Sequence, residues 1–600
     1  MMGNIFAELK RRHIYRVGAT YAVVAWVLLQ LVANLAPILE LPPWVARTVL
    51  LLLIIGFPVV LVFAWVHELT PESGTLTRMT TGRLDWLLIG ALFVVIALVS
   101  YQQFAPVSGG QATKAQQAGV AAARAASASV GNAISIAVLP FANLSDDKQQ
   151  EFFSDGMTDE ISGALAKIPD LRVVGRSSAF QFKGENKDLR AIGQALGATH
   201  LIEGSVRKAG ARVRISAQLV QAGNGLQVWS ENYDRELTDV FAIQEDIAKA
   251  IAMSLRMPLG LKPGETLISS RIADPEIYEQ YLRGRALLRS RSFPATLDTL
   301  EALVARAPGF APGWATLADA YRAGTNPAMR RSDFKMAASL QDRAEAAARK
   351  AIQLDASYAG GYSELAATQA RRGKWEEADG LFKRALTLDP NDPELLQNYS
   401  DTLLALGRLK EALGVRERLR ALEPLVPLYN AITARVMQAN GQIDASIPIL
   451  ERDALIGGPN TDIPLAEAYA IKGRFADAAD TLLRITIQID RRSVEDAARL
   501  LRSAPSKTDA PAKLPTLDAE LGFVYVYIGA PERILDYPEK TAGEGNFGPL
   551  GLVWRPTAAP LRKTERFKAL MRKAGLVDYW RASGWPDLCH PVGATDFVCD

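Results

Sequence analysis

Three long apolar stretches fall within residues 1–104, and nothing comparable follows in the chain of 600 residues. They cover residues 17–37, 49–66 and 86–101. A helix needs about 20 apolar residues to cross a bilayer core, with a range of about 17–25. The first stretch meets that length. The second is near the minimum and carries Pro58, and the third needs Phe104 or a thin bilayer to reach across. Trp26, Trp44, Trp65, Trp86 and Tyr101 lie mostly near the ends, where amphipathic rings favour the membrane interface. Residues 1–104 therefore read as a three-helix transmembrane anchor. A cleaved signal peptide is the alternative for the first stretch, but its apolar run exceeds the about 7–15 residues such a segment uses.

Lys and Arg bias near the ends sets orientation. Lys10, Arg11, Arg12, Arg16, Arg78 and Arg83 lie on one side, against Arg47, Lys114 and Arg124 on the other. This predicts a multi-pass protein of the inner (cytoplasmic) membrane, with a short cytoplasmic N-terminus, a large periplasmic body and the lipid bilayer as one partner. The two cysteines, Cys589 and Cys599, agree with an oxidising compartment, because their spacing suits a disulfide. Such a loop is worth about 3 kcal/mol in the chain-entropy model. A metal site is the weaker reading, since His590 stands without a second histidine or a Cys-x-x-Cys pair. The net charge of +3 gives no footprint for nucleic acid.

Residues 105–133 are rich in Ala, Gln and Ser and read as a linker, or as a helical stalk through Ala115–Ala128. From Ile134 the pattern turns to short β-branched runs alternating with helical spacing. Residues 134–141, 171–175 and 200–206 read as strands, and residues 153–167 and 189–196 as helices. Val213 to Gln221 alternates apolar and polar residues, Gly223-Asn224-Gly225 marks a hairpin, and a helix over residues 240–255 closes the unit. The prediction for 134–257 is a small α/β domain, a mixed sheet with helices packed on it.

The segment IAVLPFANLSDD at Ile136, the run from Phe152 to Gly184 and the motif WSENYDR at Trp229 resemble the TolB-amino-terminal-like domain of bacterial signalling and envelope proteins. In that family the domain accompanies winged-helix regulators, class III adenylate cyclase domains or protein kinase domains, usually with tetratricopeptide repeats after it. The segment from Phe6 to Gln30, with that from Gly56 to Glu72, also resembles the membrane anchor of relatives that carry no such effector. The resemblance implies no catalytic residue.

The remainder is periodic. Gly373, Gly407 and Gly441 stand 34 residues apart, as do Ala378 and Ala412, and Pro390 and Pro424. Tyr362, Leu365, Ala366, Gly373, Ala378, Phe382, Ala385 and Pro390 fall at the signature positions of a two-helix repeat, and Tyr399, Gly407, Ala412 and Pro424 continue the frame. Small residues let paired helices approach, glycine ends the first helix and proline stops the second. Weaker units begin at Trp314 and Tyr321, at Ala434 and Gly441, and at Tyr469, Gly473 and Ala478. In the unit at Trp314, an insertion near Gly324–Asp333 is expected to delay the second helix. Residues 274–500 thus resemble an all-α tetratricopeptide solenoid, which implies a protein partner on the concave surface. Residues 516–600 read as a helical region with the Cys-containing tail, beginning with a helix over 517–528.

No set of residues points to catalysis, a cofactor or a metal. The glycines at 543, 545 and 548 match G-x-G-x-x-G but neither follow a strand nor open a helix. The histidines, at 13, 67, 200 and 590, are scattered. Asp159 and Glu160, the stripe Arg283, Arg285, Arg289 and Arg291, and the cluster Arg207, Lys208, Arg212 and Arg214 read as solvated faces. The expected function is a membrane-tethered, non-enzymatic interaction scaffold of the bacterial envelope. The alternative is a receptor whose α/β domain senses a ligand and acts on a separate cytoplasmic effector. An enzyme such as a nucleotide cyclase rests on family association alone.

Overall fold

A computed structural model describes residues 21, 25, 53, 56, 134–184, 188–257, 274–455, 461–485, 489–508, 510–593 and 595–600. From residue 134 onward they belong to one compact unit. Among the described residues no helix is long and apolar enough to cross a membrane. This corrects the expected fold class and localisation: the three-helix anchor, the multi-pass inner-membrane placement and the bilayer partner are not supported. The described helices with enough length are amphipathic. Phe334–Leu354, at 21 residues, carries Lys335, Asp342, Arg343, Glu345, Arg349 and Lys350. The stretches at 17–37, 49–66 and 86–101 and the linker at 105–133 fall almost wholly outside the described residues.

The α/β module comprises β1 (Ser135–Val138), β2 (Ala142–Asn143), α1 (Glu151–Ala166), β3 (Arg172–Val173), α2 (Leu189–Leu196), β4 (His200–Ala209), β5 (Arg212–Gln221), β6 (Gln227–Glu236) and α3 (Val240–Ser254). Its sheet runs β3-β1-β4-β5-β6, with β2 beside β4. β1 pairs in parallel with β3 and β4, whereas β4, β5 and β6 form an antiparallel meander. Alternation along β1 sends Ile136 and Val138 to the core under α1 and α3, and Ala137 to the α2 side. Both faces being covered, all of β1 is buried.

The helices that follow pair antiparallel: α4 (Pro275–Arg289) with α5 (Phe293–Arg306), α6 (Ala311–Arg330) with α7 (Phe334–Leu354), α8 (Ala359–Arg371) with α9 (Trp375–Leu388), α10 (Pro393–Ala405) with α11 (Leu409–Leu422), α12 (Pro427–Ala439) with α13 (Ile443–Leu455), and α14 (Asp462–Ile471) with α15 (Phe475–Leu483). α16 (Arg491–Arg502) packs on α15. The extra residues near Gly324–Asp333 form no loop. They lengthen α6 and α7 to 20 and 21 residues, and Asp333 caps α7 by accepting from the Met336 amide.

Beyond residue 502 lies a lobe of short 3₁₀ turns with α17 (Asp536–Gly543), α18 (Glu565–Lys573), α19 (Leu576–Ser583) and the hairpin β7 (Cys589–Val592) and β8 (Asp596–Cys599). The helix expected over 517–528 is broken into Ala519–Leu521 and Val524–Tyr527. The Tyr525 hydroxyl accepts from the Leu517 amide and donates to the Pro515 carbonyl, folding the chain back on itself instead. Trp554, Trp580, Phe567 and Phe597 stack edge to face at the lobe's centre.

Candidate functional site: the face of the helical array and its two docked lobes

The repeat frame accounts for the signature residues. Ala366, Ala378, Phe382, Ala385, Ala412 and Ala478 are fully buried between helices. Leu365, Tyr321, Tyr399 and Tyr469 are also buried, and Trp314 and Tyr362 are half-buried. Pro390, which is exposed, and Pro424, which is half-buried, follow the ends of α9 and α11. Gly373, Gly407, Gly441 and Gly473 adopt φ of +74°, +76°, +79° and +75° just past the first helix of each pair. The same left-handed position after α4 and α6 is held by Arg291 and Ser332, with φ of 56° and 57°. That is why the glycine period fades upstream although the turn persists.

One lobe docks on the turns of two pairs, α8 with α9 and α10 with α11. The Phe547 amide donates to the Arg371 carbonyl (2.8 Å) and the Asp587 amide to the Gly407 carbonyl (3.1 Å). Three indoles supply the rest: Trp375 donates to the Ala574 carbonyl (2.7 Å), Trp554 to that of Ala405 (3.2 Å) and Trp580 to that of Leu406 (3.0 Å). These bonds satisfy helix-end carbonyls with no partner inside their own helix. The loop holding the G-x-G-x-x-G match is thus a docking element, with Phe547 beside Gly373. Deeper in the lobe, Glu520 meets Arg555 and Arg435, and Arg555 also reaches Glu467. Burial would raise Glu520, but Arg435 and Arg555 outweigh it and hold the carboxyl at about 2.

The α/β module docks at the other end of the same helices. Glu423, just past α11, is 2% exposed and accepts from the amides of Ser177 (3.0 Å) and Ser178 (2.7 Å). It thereby caps the helical turn Arg176–Ala179 from a point some 245 residues along the chain. The Gly175 amide donates to the Leu422 carbonyl (2.7 Å), Arg172 reaches that of Ala421, and the Leu425 amide donates to Ser178 Oγ. A side chain at Gly175 would overlap Glu423. Because α10 has 13 residues, the two docking edges stand about 20 Å apart.

α1 lies against α4, where Gly156 leaves room for Leu282 and Tyr278 packs edge-on against Phe153 and Phe241. Asp159 and Glu160 do not form a solvated face. Arg285 binds Asp159 (2.7 Å) and Glu160 (2.8 Å), and Arg289 adds a contact to Asp159 (3.3 Å). Burial pushes Asp159 up, but Arg285, Arg289 and Arg176 overcome it and hold the carboxyl below its usual range. For Glu160 burial wins and its carboxyl is raised. In the hairpin cluster, Lys208 pairs with Glu279, and Arg212 and Arg214 pair with Asp234. His200 is half-buried, with Nδ1 2.9 Å from Thr199 Oγ1 and its pKa lowered by burial.

Between these edges a polar seam crosses three first helices. Arg322 of α6 donates to Asp319 (2.6 Å) and to Glu364 of α8 (2.7 Å), and Asn398 of α10 donates to Glu364 (3.4 Å). Glu394 of α10 remains exposed, yet it senses the charges of Asp319, Asp392 and Glu364 and of Arg285 on α4. Arg285 on α4 binds Asp159 (2.7 Å), Asp159 lies 3.7 Å from Arg176, and the neighbouring Ser177 amide donates to Glu423 just past α11 (3.0 Å), so the array curls inward around this spot. The neighbouring helices shed water from Glu394, and the charges of Asp319 and Asp392 add to this, so its carboxyl is raised above its ordinary range. Arg416 of α11, 34 residues after Phe382, is fully buried and donates to Gln397 and Asp401 (both 2.5 Å). Among the described residues no cluster of His, Cys, Asp and Glu is placed to hold a metal ion. Cys589 and Cys599 face each other across β7 and β8 in a disulfide, both buried.

Sequence reasoning missed Glu423, Arg416 and the Asp159–Arg285 pairing. Each partner lies on a different helix or in a different module, so no local pattern signals it. The one trace in the sequence is Arg416 at a position where the 34-residue frame calls for an apolar ring.

The family model for the tetratricopeptide repeat matches residues 370–436, and the chain carries such repeats there. A Rhizobium meliloti (strain 1021) protein named "Putative adenylate cyclase 3" is 37% identical over 186 residues, which span 30% of this chain and 32% of that protein. The chain thus covers about a third of that relative's length. Similar solved structures include the APC/C hetero-tetramer Cut9–Hcn1 (17% identity, 37% of this chain and 42% of that one, TM-score 0.30). Another is a thermophilic TPR protein of Thermus thermophilus (21% identity, 34% and 95% covered, TM-score 0.24). A third is YrrB, described as a TPR protein with an unusual peptide-binding site (19% identity, 31% and 89% covered, TM-score 0.22).

Proposed function

We propose that this chain is a non-enzymatic interaction scaffold whose helical array binds a protein partner along the inward-curled face around Glu394. The carrying observation is a phased repeat array whose concavity keeps an exposed carboxyl, with both of its edges occupied by the chain's own lobes. The reading takes residues 134–257 as a TolB-amino-terminal-like module, 274–500 as the tetratricopeptide solenoid and 516–600 as a dedicated lobe. With the turns at Gly373 and Gly407 covered on one edge and the turn at Glu423 on the other, a partner approaches between them. It meets the exposed Glu394 and the half-buried Asp319 and Arg322, with Glu364 buried behind Arg322, a surface that recognises by paired charges and hydrogen bonds.

The test is photo-crosslinking in cells through a benzophenone amino acid at Glu394, with Glu417 on the outer side of α11 as control. A discrete protein adduct at Glu394 and none at Glu417 is the expected result. Equal labelling, or none at Glu394, overturns the groove as the binding face. A second reading is a receptor whose α/β module senses a small ligand and hands the change to a separate effector; it draws on the Rhizobium relative's being named an adenylate cyclase, a signalling enzyme. The shared core running from the sheet to Leu365 of α8 supplies the mechanical link for it. Turnover of ATP by the purified full chain would end both non-enzymatic readings.

A further inference from the structure

β6 is an edge of the sheet among the described residues, with β5 on one side and no strand on the other. At ten residues it matches β4 and β5 in length, whereas the opposite edge, β3, has only two. A long edge strand displays a row of free amides and carbonyls, and proteins usually blunt it with proline, lysine or a bulge. β6 contains no proline or lysine, and its one irregularity with β5 sits at its beginning, opposite Leu219 and Val220. Val228 within it and Leu226 before it are exposed, as are Glu231 and Arg235.

The residues of this edge are self-complementary in one register. Two copies of a strand related by a two-fold axis pair antiparallel. Opposed residues must then point their backbone groups the same way, so the axis passes through a residue. An axis through Glu231, Asp234 or Arg235 sets that charge against its own copy. An axis through Ser230 or Asn232 opposes no unlike charges. An axis through Tyr233 places Glu231 opposite Arg235 of the second copy and Arg235 opposite its Glu231, with Asn232 against Asp234 and Ser230 against Glu236. The Tyr233 hydroxyl, donating to Glu231 Oε2 at 3.0 Å, already holds that carboxylate in place. Asp234 is tied to Arg212 and Arg214 on its own sheet and needs nothing from the pairing.

We propose that two copies of this chain associate through β6, antiparallel about Tyr233, to form one continuous sheet held by reciprocal Glu231–Arg235 pairs. The interface lies on the α/β module and leaves the Glu394 concavity free, so the assembly presents two binding arrays. The test is sedimentation velocity on the full-length chain from low to high micromolar concentration, with circular dichroism to verify folding. The wild type forms a dimer. Glu231→Arg and Arg235→Glu each oppose like charges twice and weaken dimerisation about tenfold or more. The double variant Glu231→Arg/Arg235→Glu restores the unlike pairs and recovers the dimer. A monomeric wild type, single variants that dimerise like the wild type, or a double variant no better than the singles each overturn the proposal. Should the single variants misfold, an Asn232→Gln control that keeps every charge must dimerise like the wild type.

Discussion

Glu423 shows how one side chain can join two modules. Its carboxylate completes the amino end of the turn Arg176–Ala179, taking the place of a local capping residue that Gly175 cannot supply. Burial raises its pKa, and the bonds from Ser177 and Ser178 pull the other way. Glu423→Ala leaves two enclosed amides without acceptors and costs about 2–3 kcal/mol. Amide exchange at Ser177 and Ser178 rises with it, and unchanged exchange there would show that the cap does not hold the turn. Glu520 carries a pH dependence of definite sign. Its carboxyl, ordinarily at 4.5, is held at about 2 in the fold. The stability it contributes is therefore complete above its unfolded pKa and is lost as pH falls through 4.5 toward 2. Partial exposure discounts this to about 2 kcal/mol. Glu520→Gln flattens the urea midpoint between about pH 5 and about pH 3 relative to wild type, and an identical profile would contradict the assignment.

At the scale of the element, the glycines of the repeat separate into two kinds. Gly441 and Gly473 need only their positive φ, since an added Cβ meets nothing within 4 Å. Alanine there costs about 1 kcal/mol. Gly407 needs its φ and also close approach, because a Cβ would lie 2.7 Å from Trp554 and Pro586. Gly407→Ala costs about 2–4 kcal/mol and loosens the carboxy-terminal lobe. The complementary change is favourable: Arg291→Gly and Ser332→Gly relieve a left-handed residue in turns that glycine serves elsewhere, gaining about 0.5–1 kcal/mol each. Chemical denaturation of these variants checks the order, and a Gly407→Ala no worse than Gly441→Ala would refute the close-approach argument. The insertion after Gly324 teaches a related point. The sequence places an insertion there that delays the second helix, and the structure takes the extra residues up in α6 and α7, because paired helices bury more surface by growing together than by bulging apart.

For the whole molecule, the array works as a spine gripped from both ends of its helices. One hydrophobic core runs from the sheet through α4, α6 and α7 to Leu365, and a second joins Trp375, Leu406 and Leu409 to the lobe around Trp554 and Trp580. Removing residues 503–600 uncovers Trp375, Leu406 and Leu409 together, and the shortened chain binds a hydrophobic dye and aggregates on warming. Reducing the Cys589–Cys599 bridge loosens only the hairpin, at about 2–3 kcal/mol. A truncated chain as soluble and as heat-resistant as the full one would mean that the lobe is an appendage.

Some of this architecture was legible from local rules. The 34-residue spacing of Gly373, Gly407 and Gly441 set the helix ends, because a left-handed position after a helix selects glycine whatever the surroundings. Alternation from Val213 to Gln221 located β5, because successive side chains on a strand must face opposite ways. The apolar stretches of residues 1–104, with aromatic rings near their ends and a Lys/Arg bias between them, read as a membrane anchor, and among the described residues no helix is long and apolar enough to cross a membrane.

What tertiary structure decided is whatever depends on a distant partner. Asp159 and Arg285 look like solvated charges on separate helices until α1 lies on α4, and Glu423 looks like an ordinary loop acid until Ser177 and Ser178 arrive. Gly407 and Gly441 are alike in the sequence and differ only once Trp554 closes over one of them. By itself the sequence determined the repeat and its phase, since backbone sterics and helix periodicity act within a few residues. The docking of lobes, the pairing of charges and the surface left open for a partner were decided by packing, which brings together groups that are hundreds of residues apart.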